Sequence, residues 1–159
     1  MKKILLLGGS AQQIIAINTA KRLGYYTVLC DFLTDNPGQY EADKFYLVST
    51  TDKDAVLEAA KKLEINGIVS FACDPGVVTA AYVAEKMGLP SCGSYKSVSI
   101  LQNKGKFRKF LAEHGFNVPV AKGYTSIKKA VKDIELFNWP VIVKPTDSAG
   151  SKGVTRVDD

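Results

Sequence analysis

From Ile4 to Met87, short apolar runs alternate with segments of helical spacing, and this alternation limits the fold more than any other feature of the chain. Residues 4–9 read as a strand that closes on Gly8-Gly9. Residues 12–23 place Ile14, Ile15, Ile17, Ala20 and Leu23 at helical intervals, with Gly24 as the stop. Residues 27–32 form a second strand ending near Asp31. The polar stretch 34–43 carries the turn signal Asn36-Pro37-Gly38. Residues 45–48 are a third, short strand. Asp52 suits the cap of a helix that runs to Leu63 and sets Ala55, Val56, Ala59, Ala60 and Leu63 on one side. Residues 67–72 give a fourth strand, and Asp74-Pro75 opens a helix that stops at Gly88. Strands that alternate with helices need crossover connections, so the predicted class is α/β with a parallel, doubly wound sheet.

The composition shifts after Pro90. Residues 97–102 read as helix, and Asn103 suits the cap of a helix over 104–114 that Gly115 stops. Residues 120–124 are predicted as a strand. Residues 126–137 are predicted as a helix with Ile127, Ala130, Val131 and Ile134 facing inward. A domain over 1–94 and a second, partial α+β unit over 95–159 follow from this reading. There is no internal repeat and no low-complexity segment.

The segment 140–154, PVIVKPTDSAGSKGV, carries the most chemistry. Val141, Ile142 and Val143 predict a short buried strand with Lys144 at its end, where a charge needs a partner or water. Ser148, Ala149, Gly150, Ser151 and Gly153 then leave a backbone with few side chains in the way, followed by another strand. Exposed N–H groups of such a loop approach phosphate oxygens closely. Lys144 and Lys152 flank it as point charges suited to phosphate. The composition also predicts a mobile loop. The G-x-x-x-x-G-K-[ST] loop is absent. An ordinary β-hairpin with a polar turn accounts for the same residues.

Two further places are candidates. Gly8-Gly9-Ser10 stands between the first strand and the first helix, where a doubly wound sheet binds ligands. It is not a G-x-G-x-x-G fingerprint, since Ala11-Gln12-Gln13 replaces the later glycines. Asp31 ends the second strand, where dinucleotide folds place a ribose-binding acid. A tight turn plus a surface acid explains both equally. Cys73-Asp74-Pro75-Gly76 follows the fourth strand at the same sheet edge, and Asp74 suits either a substrate cleft or a helix cap.

Charge and cysteine usage exclude several classes. Of 21 Lys/Arg and 16 Asp/Glu, nine basic residues and one acid, Glu113, fall between Lys96 and Lys132, leaving 12 basic and 15 acidic elsewhere. The basic residues are spread over two helical patterns and are not interleaved with aromatics as in single-strand binders. A solvated helix face with one or two phosphate ligands fits better than nucleic acid. Cys30, Cys73 and Cys92 are odd in number and lack metal spacing. Cys30 and Cys73 read as buried thiols, and a reducing cytoplasm suits them. No apolar run reaches the length of a membrane span, and Gly8-Gly9 ends the run after Lys2-Lys3 too early for a signal peptide. There is no Ser-His-Asp set, no paired carboxylates and no metal cluster. His114 near a helix end reads as a dipole partner.

Segment 140–154 resembles the nucleotide-binding segment of the ATP-grasp superfamily, where a lysine ends a strand and a glycine-rich loop folds over ATP phosphates. A second stretch resembles the same family: Asn103-Lys104-Gly105-Lys106-Phe107-Arg108-Lys109-Phe110-Leu111, then Gly115-Phe116-Asn117-Val118-Pro119. The family often has an acid where Asn103 stands, and its basic residue at Lys104 touches phosphate. The resemblance extends over nearly all of the chain. It implies a Rossmann-like pre-ATP-grasp domain that helps to hold the acceptor substrate, followed by the start of the ATP-grasp domain. Among its ligases, the chain resembles glycinamide ribonucleotide synthetases and the carbamoyl-phosphate synthetase large subunit. The implied function is that of an N-terminal fragment, inactive alone, of an ATP-dependent carboxylate–amine ligase working through an acyl phosphate. The implied cofactors are ATP, held by Lys104, Lys144 and the loop Ser148, Ala149, Gly150, Ser151, Lys152 and Gly153, and Mg2+ with ligands outside this chain. Gly8, Gly9, Ser10 and Asp74 are the implied substrate-binding residues. The expected partners are a small carboxylate or amine and a second copy in a homodimer, with no nucleic acid and no membrane. The alternatives are a Rossmann-like nucleotide-cofactor-binding protein using Gly8–Ser10 and Asp31, and a non-catalytic oligomerisation domain.

Overall fold

Residues 1–159 are described in a computed structural model, which divides into the units Met1–Val98 and Ser99–Asp159. In the first unit, β1 (Lys3–Leu7), β2 (Tyr26–Asp31), β3 (Lys44–Leu47) and β4 (Gly67–Val69) form one parallel sheet in the order β3-β2-β1-β4. Leu5 pairs with Val28 on one side and with Ile68 on the other. Because side chains alternate along a strand, β1 feeds both faces of the sheet. Leu5 and Leu7 join Val28 and Cys30 under Val56 and Ala60 of α2 (Lys53–Leu63) and Val83 and Ala84 of α3 (Asp74–Met87). Leu6 joins Leu29 beneath Ile17 of α1 (Ile14–Arg22) on the opposite face. Continuous Leu/Val/Ile runs in these strands are what burial on both faces requires.

Capping sets the helix ends. The Asp52 carboxylate accepts from the Ala55 N–H at 3.0 Å and starts α2. α1 is preceded by a 3-10 turn, Ala11–Gln13, so its regular part begins later than the predicted residue 12. Asp74 is the first helical residue of α3 and not its cap; Cys73, at φ −133° and ψ 78°, is the flanking residue and offers no side-chain cap. α4 (Tyr95–Gln102) starts where the Tyr95 N–H donates to Glu85 Oε2 at 3.0 Å.

The second unit contains α5 (Lys104–Glu113), α6 (Ile127–Lys132) and the antiparallel hairpin β5 (Val141–Val143) and β6 (Thr155–Val157). Here several expectations fail. Residues 120–124 form no strand, because no neighbouring strand takes their hydrogen bonds, and Val120 is 73% exposed. The helix predicted over 126–137 stops after six residues at Asp133 and resumes as a 3-10 turn, Ile134–Leu136. Its apolar residues do not face inward: Ile127 and Val131 are exposed. β5 is not a buried strand either, since Ile142 and Val143 are more than half exposed. Helical or strand spacing selects a face, but the spacing does not supply what covers it.

The three thiols differ in their surroundings. Cys30 is fully buried, while Cys73 is half-buried, contrary to its expected burial, and Cys92 is exposed. Burial, with the Asp31 carboxylate as a second cause, pushes the Cys30 thiol up to about 12. A thiol reagent at pH 8 should therefore label Cys92 first and Cys73 more slowly, and reach Cys30 only on unfolding. Rapid labelling of all three in native buffer would contradict the packing of β2.

Candidate functional site

In the first unit the chain crosses from β1 to β2 over one face and from β3 to β4 over the other. The crevice of a doubly wound sheet lies where these connections diverge, at the C-terminal ends of β1 and β4. Gly8, Gly9 and Ser10 follow β1 there, and Cys73 and Asp74 follow β4. The two loops are tied by Gln13. Its Oε1 accepts from the Ser10 N–H at 2.6 Å and its Nε2 donates to the Ala72 carbonyl at 2.8 Å. The sequence signal for it is Ser10-x-x-Gln13, the spacing of a capping box. Asn36 was also missed as a site element. A Cβ at Gly9 would lie 2.1 Å from Asn36 Oδ1, so only glycine admits this approach.

Asp31 is held inside this arrangement. One carboxylate oxygen accepts from the Gly9 N–H at 2.7 Å and the other from the Leu33 N–H at 2.9 Å. The residue is 6% exposed. Both oxygens serve the loop backbone, which counts against a ribose-binding role and so against the dinucleotide alternative. Gly8 and Gly9 are buried, whereas Ser10 and Asp74 are exposed at the crevice.

In the second unit the decisive contact is made by Lys104. Asn103 caps α5, its Oδ1 accepting from the Lys106 N–H at 3.0 Å. That cap fixes the first turn, whose next residue reaches across to the loop after β5. The Lys104 N–H donates to the Thr146 carbonyl at 2.8 Å, and its Nζ donates to the Ser148 carbonyl at 2.5 Å. Close approach of Gly105 and Gly123 lines the same turn; a Cβ on Gly123 would stand 3.3 Å from the Gly105 Cα. Thr146 and the Gly105–Gly123 contact carried no signal that separates them from ordinary loop residues.

The loop itself is a small hydrogen-bonded turn, contrary to the unrestrained segment its composition suggested. Ser148 Oγ donates to the Lys152 carbonyl at 2.8 Å, the Lys152 N–H to Ala149 at 3.4 Å and the Val154 N–H to Ser151 at 3.3 Å. The N–H groups of Gly150, Ser151 and Gly153 donate to nothing in the protein. Lys144, at the end of β5, and Lys152 are exposed and make no ion pair. A plain hairpin explains β5, β6 and their turn. It does not explain a lysine 44 residues earlier with its ammonium on the turn. One ammonium donor is used in that contact and two remain, beside three free N–H groups. Such a set of donors suits an anion.

No family model matches the chain. It is 28% identical over 158 residues to a formate-dependent phosphoribosylglycinamide formyltransferase from Synechococcus sp. (strain WH7803), covering 98% of this chain and 40% of that protein. It is 31% identical over 118 residues to a carbamoyl phosphate synthase large chain from Pseudothermotoga lettingae, covering 74% of this chain and 11% of the relative. Among solved structures, N5-carboxyaminoimidazole synthetase from Staphylococcus aureus complexed with ADP superposes with a TM-score of 0.73 at 19% identity, over 99% of this chain and 42% of that one. The structural likeness shows a shared fold. The chain spans about 40% of the length of the formyltransferases it matches.

Proposed function

We propose a function from one premise, that this chain is a member of the ATP-grasp superfamily and matches the N-terminal part of its ligases. The reading is that its residues supply the acceptor side and part of the phosphate side of an ATP-dependent carboxylate–amine ligase. The observation that carries it is the Lys104 ammonium seated on the Ser148 carbonyl, which joins the start of α5 to the loop after β5.

ATP supplies the phosphoryl group that makes a carboxylate reactive toward an amine, through an acyl phosphate. Lys104 and Lys144 hold negative phosphate oxygens as fixed cations. The N–H groups of Gly150, Ser151 and Gly153 add uncharged donors, and the loop 148–153 excludes water from the phosphates. Gly8, Gly9, Ser10 and Asp74 form the edge at which the acceptor substrate binds. Magnesium does not fit these residues: no three His, Cys, Asp or Glu side chains come together to hold a metal ion. No helix is long and apolar enough to cross a membrane. The three unpaired cysteines suit a reducing cytoplasm.

The test is ADP release by the full-length ligase with ATP, a small carboxylate and an amine. Release should require all three, and residues 1–159 alone should give none. Tight binding of a nicotinamide cofactor by the first unit, without ATP-dependent turnover of the longer protein, would replace this reading with the dinucleotide one.

A further inference from the structure

The positive surplus between Lys96 and Lys132 is only partly used by the site above. Three of those lysines, Lys122, Lys129 and Lys132, line one cleft of about 320 Å³ together with Tyr124, Thr125 and Asp133. Local structure gathers them. Lys129 and Lys132 are three residues apart on α6 and share its face. Lys122 and Tyr124 come from the extended segment that precedes α6.

Asp133 is the one carboxylate in the cleft, and Lys122 takes it at 2.6 Å. Their hydrogen bond holds the Lys122 ammonium above its ordinary range and the Asp133 carboxyl below it. The Lys129 and Lys132 ammonium groups make no ion pair and no hydrogen bond. The cleft therefore carries two uncompensated positive charges. The Tyr124 hydroxyl is shut off from water beside the Asp133 carboxylate. Burial first, and a hydrogen bond to Asp133 second, push that hydroxyl up.

We propose that this cleft is a second anion site, in which Lys129 and Lys132 bind the phosphate group of a compact phosphorylated small molecule. Two unpaired ammonium groups match a dianion better than a single carboxylate. The volume stands at the small end of ligand clefts, which limits the occupant to a compact one. The cleft shares no residue with Lys104, Lys144 or the loop 148–153.

The probe is inorganic pyrophosphate, without metal, titrated into residues 1–159 and followed by amide chemical shifts. Saturable shifts are expected at 122–125 and 129–133. Lys129→Gln with Lys132→Gln should weaken them about tenfold or more, and both side chains are exposed, so the fold is kept. Lys144→Ala should leave them unchanged. Shifts confined to Lys104, Lys144 and 148–153 would assign the anion to the loop and overturn the proposal. Shifts at 122–133 that survive the double substitution, or no saturable shift there, would overturn it as well.

Discussion

Asp31→Ala should lower the stability of the first unit by about 3 kcal/mol, through two buried or half-buried backbone donors left without their carboxylate. The Gly9 N–H and the Leu33 N–H lose their acceptors together. No other side chain is placed to replace them, since Asn36 already accepts from the Gln39 N–H and Gln13 from Ser10. Urea unfolding followed by alkylation of Cys30, the fully buried thiol next to Asp31, reads this unit alone. Asp31→Asn keeps one acceptor and should recover part of the loss. A fall of less than about 1 kcal/mol for Asp31→Ala would mean that the carboxylate is not what fixes the loop.

On the proposed function, Lys104→Ala and Lys144→Ala should each weaken nucleotide binding by about 10- to 150-fold in a protein that carries this chain as its N-terminal part. This follows from about 1.5–3 kcal/mol for a charge-assisted contact. Lys106→Ala should change it less than about threefold, the range of an exposed surface substitution, because Lys106 gives only its backbone to the α5 cap. Calorimetric titration with ADP measures all three. Similar losses for Lys104, Lys144 and Lys106 would reduce the phosphate argument to general positive charge. Loss for Lys144 alone would show that the Lys104–Ser148 contact is only structural.

The first unit was largely legible because its signals are local. Asp52 caps the helix it was expected to cap, and Gly88 ends α3 in the left-handed region. Alternation in β1 specifies two buried faces, and both are filled. The second unit was less legible for a physical reason. Ile127, Val131 and Ile142 follow helical or strand spacing, yet their apolar faces stand in water. At the sites, residue type and order pointed to Lys144 and the loop between β5 and β6, the family resemblance pointed to Lys104, and the contact between Lys104 and Ser148 joins the two. Direction was the missing information. Composition offered Asp31 to a ligand, whereas the fold turns both of its oxygens onto backbone. Gln13 stood in the sequence as a broken glycine position, and it became the tie between two loops.

β1 is paired along both of its edges, whereas β5 has one neighbour and a ladder of three residues. Freeing the end of β1 means breaking two ladders and two packed faces, so the loop at Gly8–Ser10 is preset before any ligand arrives. The turn after β5 rests on one short ladder, the Lys104 contact and three hydrogen bonds of its own. On the proposed function, any further ordering of this turn by an anion is subtracted from the affinity of what binds. A ligand that reaches only one lysine meets that cost with half the contacts. On the proposed function, the hairpin thus favours ligands that engage both cations at once.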